Sequence, residues 1–358
     1  MATGHIIGLD THCVFTVAAV LDGRGRLVRQ QRLPTSIPEL RALIEGVRRP
    51  RRVVLEEGPL ADWLVRELRP CAEAVVACDP RRNAHIAKDG DKDDPLDAQK
   101  LAQLYRGGFV TPVHHPASVE RAAFKQLVGL YHDRVRNVVR QGNRLLGQFR
   151  RHGAFATQAA LQDPGARRAL VDRLPTKALQ SGVELLLGAF DQAHADVRRL
   201  RRLVREVARA EEPVRRFIAV PGVKWIRAAT FLVYVDTPWR FARKQALWRY
   251  MGIGLERRHS GSGPEQVRVP ASVKVCRPLK GMIWGAAKSA LVGDNPFAAR
   301  YEEMRHAGLT PRNASRSVAR SLAATLWAMF KSGDVYQPAW VGQALATRLE
   351  GRSPMVAG

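Results

Sequence analysis

This sequence is defined first by what it has little of. It has only four cysteines, Cys13, Cys71, Cys78 and Cys276, and none forms a CxxC pair. That argues against a zinc site built on cysteine and fits a reducing, cytoplasmic setting. No apolar run reaches the roughly 18 residues needed to span a bilayer. Residues 1–8 lack the charged-then-apolar layout of a secretory signal. Low-complexity segments are missing, and 46% hydrophobic content over 358 residues favours packed cores over disorder. Acids are scarce: 33 Asp and Glu stand against 58 Lys and Arg, a formal charge of +25. A surface of that sign attracts polyanions, and nucleic acid is the commonest inside a cell. An anionic membrane surface or a ribosomal structural role is the competing reading.

The opening predicts strands. Ile6-Ile7-Gly8-Leu9-Asp10 is a short apolar run ending in an acid. Apolar residues return over 15–21 and 27–33, with turn chemistry at Asp22-Gly23-Arg24-Gly25 between them. A helix over 38–47, the β-branched run Val53-Val54-Leu55 ending at Glu56, a helix over 60–68 and Ala74-Val75-Val76-Ala77 follow. Strands alternating with helices imply parallel strands covered on both faces. A meander followed by β-α-β units is the order of ribonuclease H-like folds.

From Phe124 the period changes to helical. Phe124, Leu127, Val128, Tyr131, Val135, Val138, Leu145, Leu146 and Phe149 recur at three- and four-residue spacings, with Arg134, Arg136, Arg140 and Arg144 between them. After the breaker Asp163-Pro164-Gly165, residues Leu186, Phe190, Ala193, Val197, Leu200, Val204 and Val207 form a heptad seam. Arg198, Arg199, Arg201, Arg202, Arg205 and Arg209 occupy its other faces. This is either an antiparallel hairpin with solvated arginines or a coiled-coil arm that oligomerises and touches phosphates. The arginine blocks, hardly diluted by acids, favour the arm. From Pro213 a third region is helical but broken by Gly and Pro, and the tail beyond Pro338 is weakly periodic.

A strongly basic chain has little reason to cluster acids, yet Asp89, Asp91, Asp93, Asp94 and Asp97 crowd one stretch. Asp94 and Asp97 share a face if that stretch is helical. An N-cap with Pro95 behind it accounts for two of these acids but not for the cluster. Asp10 and Glu56 end predicted strands, at the edge where α/β sheets place ligands. Four carboxylates gathered there would suit Mg²⁺ or Mn²⁺, and such ions support phosphoryl transfer.

The third region holds Val220-Pro221-Gly222-Val223, Ala228-Ala229-Thr230-Phe231-Leu232, then Phe241, Leu247 and Gly252, and finally His259-Ser260-Gly261-Ser262-Gly263. Together with Gly8-Leu9-Asp10, Glu56-Glu57-Gly58 and Lys92-Asp93-Asp94-Pro95-Leu96-Asp97-Ala98, this ordered set resembles the DEDD transposases of the insertion sequence one-ten type, which include the pilin-gene invertases. The resemblance runs from about Ile6 to Phe330. Lys224 stands where the family's loop has its second glycine, and Glu57-Gly58-Pro59 replaces its Ala-Thr-Gly.

The resemblance implies an α/β plus α architecture. A RuvC-like domain would cover 1–115, a helical coiled-coil linker 116–212, a mostly helical transposase domain 213–335 and a loose tail 336–358. Asp10, Glu56, Asp94 and Asp97 would bind Mg²⁺ or Mn²⁺, with Asp93 the alternative to Asp94. Ser260 would attack DNA and hold a phosphoserine; counting from Gly252 favours it over Ser262. Nucleic acid would be held by Arg134, Arg140, Arg144, Arg198, Arg202, Arg205, Gly222, Lys224, Arg257, Arg258, Arg268, Lys274 and Arg277. The implied partners are DNA, a structured bridge RNA encoded in the element, and further copies of the chain as a dimer or tetramer. The competing reading keeps the fold but makes the protein a metal-dependent nuclease or junction resolvase without a covalent step. His114 and His115, ahead of Pro116, are expected to be linker. The tryptophans Trp63, Trp225, Trp239, Trp248, Trp284 and Trp327 are expected to pack rather than to stack on bases.

Overall fold

The structure, a computed structural model, describes residues 4–80, 94–258, 267–270 and 275–341. The chain divides into two compact units, residues 1–122 and 123–358.

The first unit is built on a six-stranded sheet. The elements in order are β1 (His5–Thr11), β2 (Phe15–Leu21), β3 (Leu27–Pro34), α1 (Ile37–Glu45), β4 (Arg51–Glu56), α2 (Ala61–Leu68), β5 (Ala74–Cys78), α3 (Asp94–Arg106) and β6 (Pro112–Val113). The strand order is β3-β2-β1-β4-β5-β6. The first three strands form the expected antiparallel meander; β1, β4 and β5 run parallel, and β6 closes the edge antiparallel to β5. The meander, two β-α-β steps and helices on both faces are the ribonuclease H-like arrangement that the element order predicts.

Side-chain alternation sorts the strands into two faces. Ile7, Leu9, Ala18, Val20, Val53, Leu55 and Ala77 pack with Leu40, Leu43, Ile44, Leu64, Val65 and Leu68 of α1 and α2. The opposite face carries Ile6, Leu21, Val54 and Cys78 against Leu101 and Ala102 of α3, with Val17 and Ala19 against Ala98. Because the central strands are buried on both faces, Val53-Val54-Leu55 is apolar without interruption. The edge strand β3 is exposed except at Leu33, and its Arg29, Gln30, Gln31 and Arg32 make it a poor template for pairing with another chain.

The second unit is helical, its first helix starting four residues ahead of the boundary: α4 (Val119–Arg150), α5 (Pro164–Asp172), α6 (Lys177–Ala210), α7 (Glu212–Phe217), α8 (Trp225–Val235), α9 (Lys244–Tyr250), α10 (Arg277–Ala290), α11 (Pro296–His306) and α12 (Pro311–Ser332). Helix starts follow local chemistry. Asp163, Thr176, Asn295 and Thr310 each cap the next helix with a side-chain oxygen, three of them ahead of a proline. Gly333 ends α12 in the left-handed conformation. Within the mostly helical layout stands a hairpin of β7 (Leu255–Arg258) and β8 (Val267–Pro270).

The heptad seam is filled within the chain. Phe190 packs with Leu145, Leu146 and Phe149 of α4. Val197 and Val204 share the main core with Phe124, Val128 and Tyr131, also of α4. The two long helices thus form the antiparallel hairpin, and only the end of the seam, Val207, is 40% exposed. The same core takes in α7 to α12, so the stretches read as linker and as transposase domain are joined by packing.

Candidate active site

The site is built by strand register. Leu9 of β1 pairs with Leu55 of β4 in parallel, and Asp10 and Glu56 are the next residue on each strand. Both therefore leave the sheet on the face covered by α3. That helix lies unusually close. A Cβ on Gly8 would stand 2.1 Å from the Ala98 carbonyl oxygen and 3.1 Å from the Ala102 Cβ. Only glycine admits the helix at this distance, and Gly8 and Asp10 share a face two residues apart. Asp97, next to Ala98, is thereby carried to the strand ends.

Electrostatics records the convergence. Burial raises the Glu56 carboxyl above its usual range, and the charges of Asp10 and Asp97 raise it further. Asp10 Oδ2 also meets His12 Nε2 at 3.1 Å. Among the described residues no three His, Cys, Asp or Glu side chains form a ligand cluster for a metal ion. The side chain of Asp94, first residue of α3, lies outside the described residues, as do Asp89, Asp91 and Asp93. The donor chemistry still fits a hard divalent cation: carboxylate oxygens that repel one another, one with its proton held unusually tightly.

On the other side of the same strand end, a network stands where linker was expected. His115 is 7% exposed. Its Nε2 donates to Glu57 Oε2 at 2.7 Å and its Nδ1 to Asp62 Oδ1 at 3.0 Å. Carboxylates only accept, so both ring nitrogens carry protons. Burial pushes the imidazole down, but the bonds and charges of Glu57 and Asp62 outweigh it and leave His115 raised. Asp62 in turn is raised by burial but held low overall by Arg66 and His115.

In the helical unit, Arg140, Arg144, Arg198, Arg202, Arg205, Lys224 and Arg277 are exposed, and Arg134 is half-buried. Gly222 has an internal role: its φ is 79°, and a Cβ there would lie 2.2 Å from the Ala286 carbonyl oxygen of α10. Ser260, Ser262, His259 and Lys274 lie outside the described residues. The serines fall in sequence between β7 and β8, where Arg257 and Arg268 are backbone partners and Arg258 pairs with Val267. Packing holds for Trp327, whose indole donates to the Pro238 carbonyl, but Trp239 is 60% exposed.

The sheet order is that of a RuvC-like α/β domain, with Asp10 and Glu56 at the ends of its central strands. Residues 7–153 match a family model described as a transposase, that of the DEDD type of insertion sequence one-ten. Over those residues the chain is similar to that family of transposases. No curated protein compared with it matches. Among the described residues, no helix is long and apolar enough to cross a membrane.

Sequence reasoning missed His115, Glu57 and Asp62. Their pairings span 58 and 53 residues, and β6, which delivers His115, is only two residues long. The one local signal was an acid, Glu57, directly after a candidate ligand.

Proposed function

We propose that this protein is a transposase that cuts and exchanges DNA strands through a covalent serine intermediate, assisted by Mg²⁺ or Mn²⁺ and guided by a structured RNA. The observation that carries the reading is the convergence of Asp10, Glu56 and Asp97 at the strand ends, where burial, and after it the charges of Asp10 and Asp97, raise the Glu56 carboxyl. Asp10, Glu56, Asp97 and Asp94 would hold the cation. When bound, it would polarise the phosphodiester and offset the charge that develops there.

The serine step rests on the ordered motifs ending in His259-Ser260-Gly261-Ser262. The Oγ of Ser260 forms a bond to phosphorus, and the bond from phosphorus to one deoxyribose oxygen breaks. The hydroxyl proton leaves to a base and ends on the departing oxygen. One phosphoester replaces another, so strands can be rejoined without ATP. A serine hydroxyl needs such a base at neutral pH. Arg257, Arg258, Arg268, Lys274 and Arg277 flank the serine and supply charge for phosphates. The exposed arginines of α4 and α6 suit a second polyanion, the guide RNA. Strand exchange between two duplexes calls for more than one active site, hence a dimer or tetramer. The seam's burial inside the chain means that this assembly uses other surfaces.

The test is covalent trapping with element-end DNA, guide RNA and Mg²⁺, on denaturing gels. A DNA-linked protein band lost in Ser260→Ala and Asp10→Ala but kept in Ser262→Ala supports the reading. Metal-dependent cleavage with no covalent band in any variant favours a RuvC-like nuclease or junction resolvase, for which the acids suffice.

A further inference from the structure

We propose that His115 is a positioning residue for Glu56, clamping Glu57 from the far side of the sheet so that the neighbouring carboxylate is held at the cation site. This rests on the reading of Asp10, Glu56 and Asp97 as metal-binding residues.

Alternation puts Glu56 on the α3 face with Val54, and Glu57 on the α1–α2 face with Leu55 and Val53. Glu57 is fixed at two points: its backbone N–H donates to the Cys78 carbonyl at 2.8 Å, and its carboxylate accepts from His115 at 2.7 Å. The imidazole is fixed in turn by Asp62 at 3.0 Å, and Asp62 by Arg66 one helical turn along α2. Apart from this clamp, Glu57-Gly58-Pro59 is an exposed strand-to-helix connection held by backbone bonds, from Glu57 N–H to Cys78 and from Ala61 N–H to Gly58, and the clamp is the side-chain contact that fixes Glu57. A buried imidazolium between two carboxylates is more than an edge closure needs. A neutral histidine or an apolar side chain would seal β6 as well without a desolvated charge.

The sign of the effect separates positioning from charge. Removing a positive group near a cation site would, by Coulomb's law alone, tighten the cation. Loss of orientation would weaken it, and outer-shell partners of metal ligands typically contribute about 10–100-fold in affinity. The experiment is Mn²⁺ titration of the full chain by electron paramagnetic resonance, without DNA, with the metal-free melting temperature recorded for each variant. We expect His115→Asn to bind Mn²⁺ about 10–100-fold more weakly than wild type. Glu57→Ala should bind more weakly than Glu57→Gln; both lose the same charge, but the amide can still accept from His115. Should His115→Asn fail to fold, the comparison at the exposed Glu57 decides alone. Equal or tighter Mn²⁺ binding in His115→Asn, or equal binding in Glu57→Ala and Glu57→Gln, overturns the proposal. A wild type that binds no Mn²⁺ would instead overturn the metal-site reading itself.

Discussion

Gly8 and Ala98 touch across the sheet–helix interface: the space for a Cβ on Gly8 is already taken by the Ala98 carbonyl, 2.1 Å away. One residue further on, Leu9 faces the opposite core, and then Asp10 returns to the α3 face. The missing side chain of Gly8 and the carboxylate of Asp97 therefore belong to one construction, in which close approach of α3 delivers an acid to the strand ends.

Gly8→Ala should push α3 away from β1. Overpacking of this kind costs about 1–3 kcal/mol. The melting temperature should fall, and Mn²⁺-induced stabilisation should shrink with it. A variant with lower melting temperature but undiminished Mn²⁺ stabilisation would show that the approach serves packing only.

Asp10→Asn and Asp97→Asn should each leave a folded protein without metal-dependent DNA cleavage. A Lewis acid contributes several kcal/mol to phosphoryl transfer, which corresponds to a rate loss of about 10³-fold. Chelation of divalent metal from the wild type should match them. Cleavage assays with and without a chelator, on variants whose circular dichroism is unchanged, check this.

Glu56→Gln should stabilise the metal-free protein at neutral pH. The carboxyl of Glu56 is raised in the folded state, so that state holds its proton to higher pH than the unfolded chain does. Its contribution to stability is full below the unfolded carboxyl range and is lost as pH rises through the folded value. Glutamine removes the loss at pH 7 and changes little at pH 4. With saturating Mg²⁺ the order should reverse, because only the wild type then gains from ligation. Melting curves at the two pH values, with and without Mg²⁺, read all four cases.

The helical unit should lose stability in acid through His132. Burial, with a smaller contribution from the Arg136 charge, pushes this imidazole from 6.5 to about 4. Its Nε2 meets Thr230 Oγ1 at 2.9 Å, and that hydroxyl donates to the Ile226 carbonyl, so the nitrogen is the donor. A depressed folded value means stability is present above pH 6.5 and is lost as pH falls toward about 4. The full amount is of the order of 3 kcal/mol. Denaturant unfolding of His132→Gln should show a flatter pH profile over that window than wild type.

Phe190→Ala, in the core shared by α4 and α6, should cost about 3–5 kcal/mol. Arg202→Ala and Arg205→Ala, both exposed, should leave the melting temperature nearly unchanged. Each should instead lower the salt dependence of nucleic-acid binding by about one counterion. Salt titrations of binding distinguish these from surface arginines that touch no phosphate.

Much of this was legible in the order of residues. Period-two alternation and Asp22-Gly23-Arg24-Gly25 marked the meander, and uninterrupted Val53-Val54-Leu55 marked a strand covered on both faces. Asp163-Pro164 and Thr310-Pro311 marked helix starts. Asp10, Glu56 and Asp97 could be picked as candidate ligands because strand ends and helix first turns are local features. Only the tertiary structure decided what each surface meets. A heptad seam specifies that a partner exists, not which; here α4 of the same chain fills it, because a hairpin of two long helices brings that face within reach at no cost in concentration. His115 was invisible for a similar reason. Its charge state and its partners are set by residues more than 50 positions away that only the sheet brings beside it, and no periodicity encodes a contact of that range.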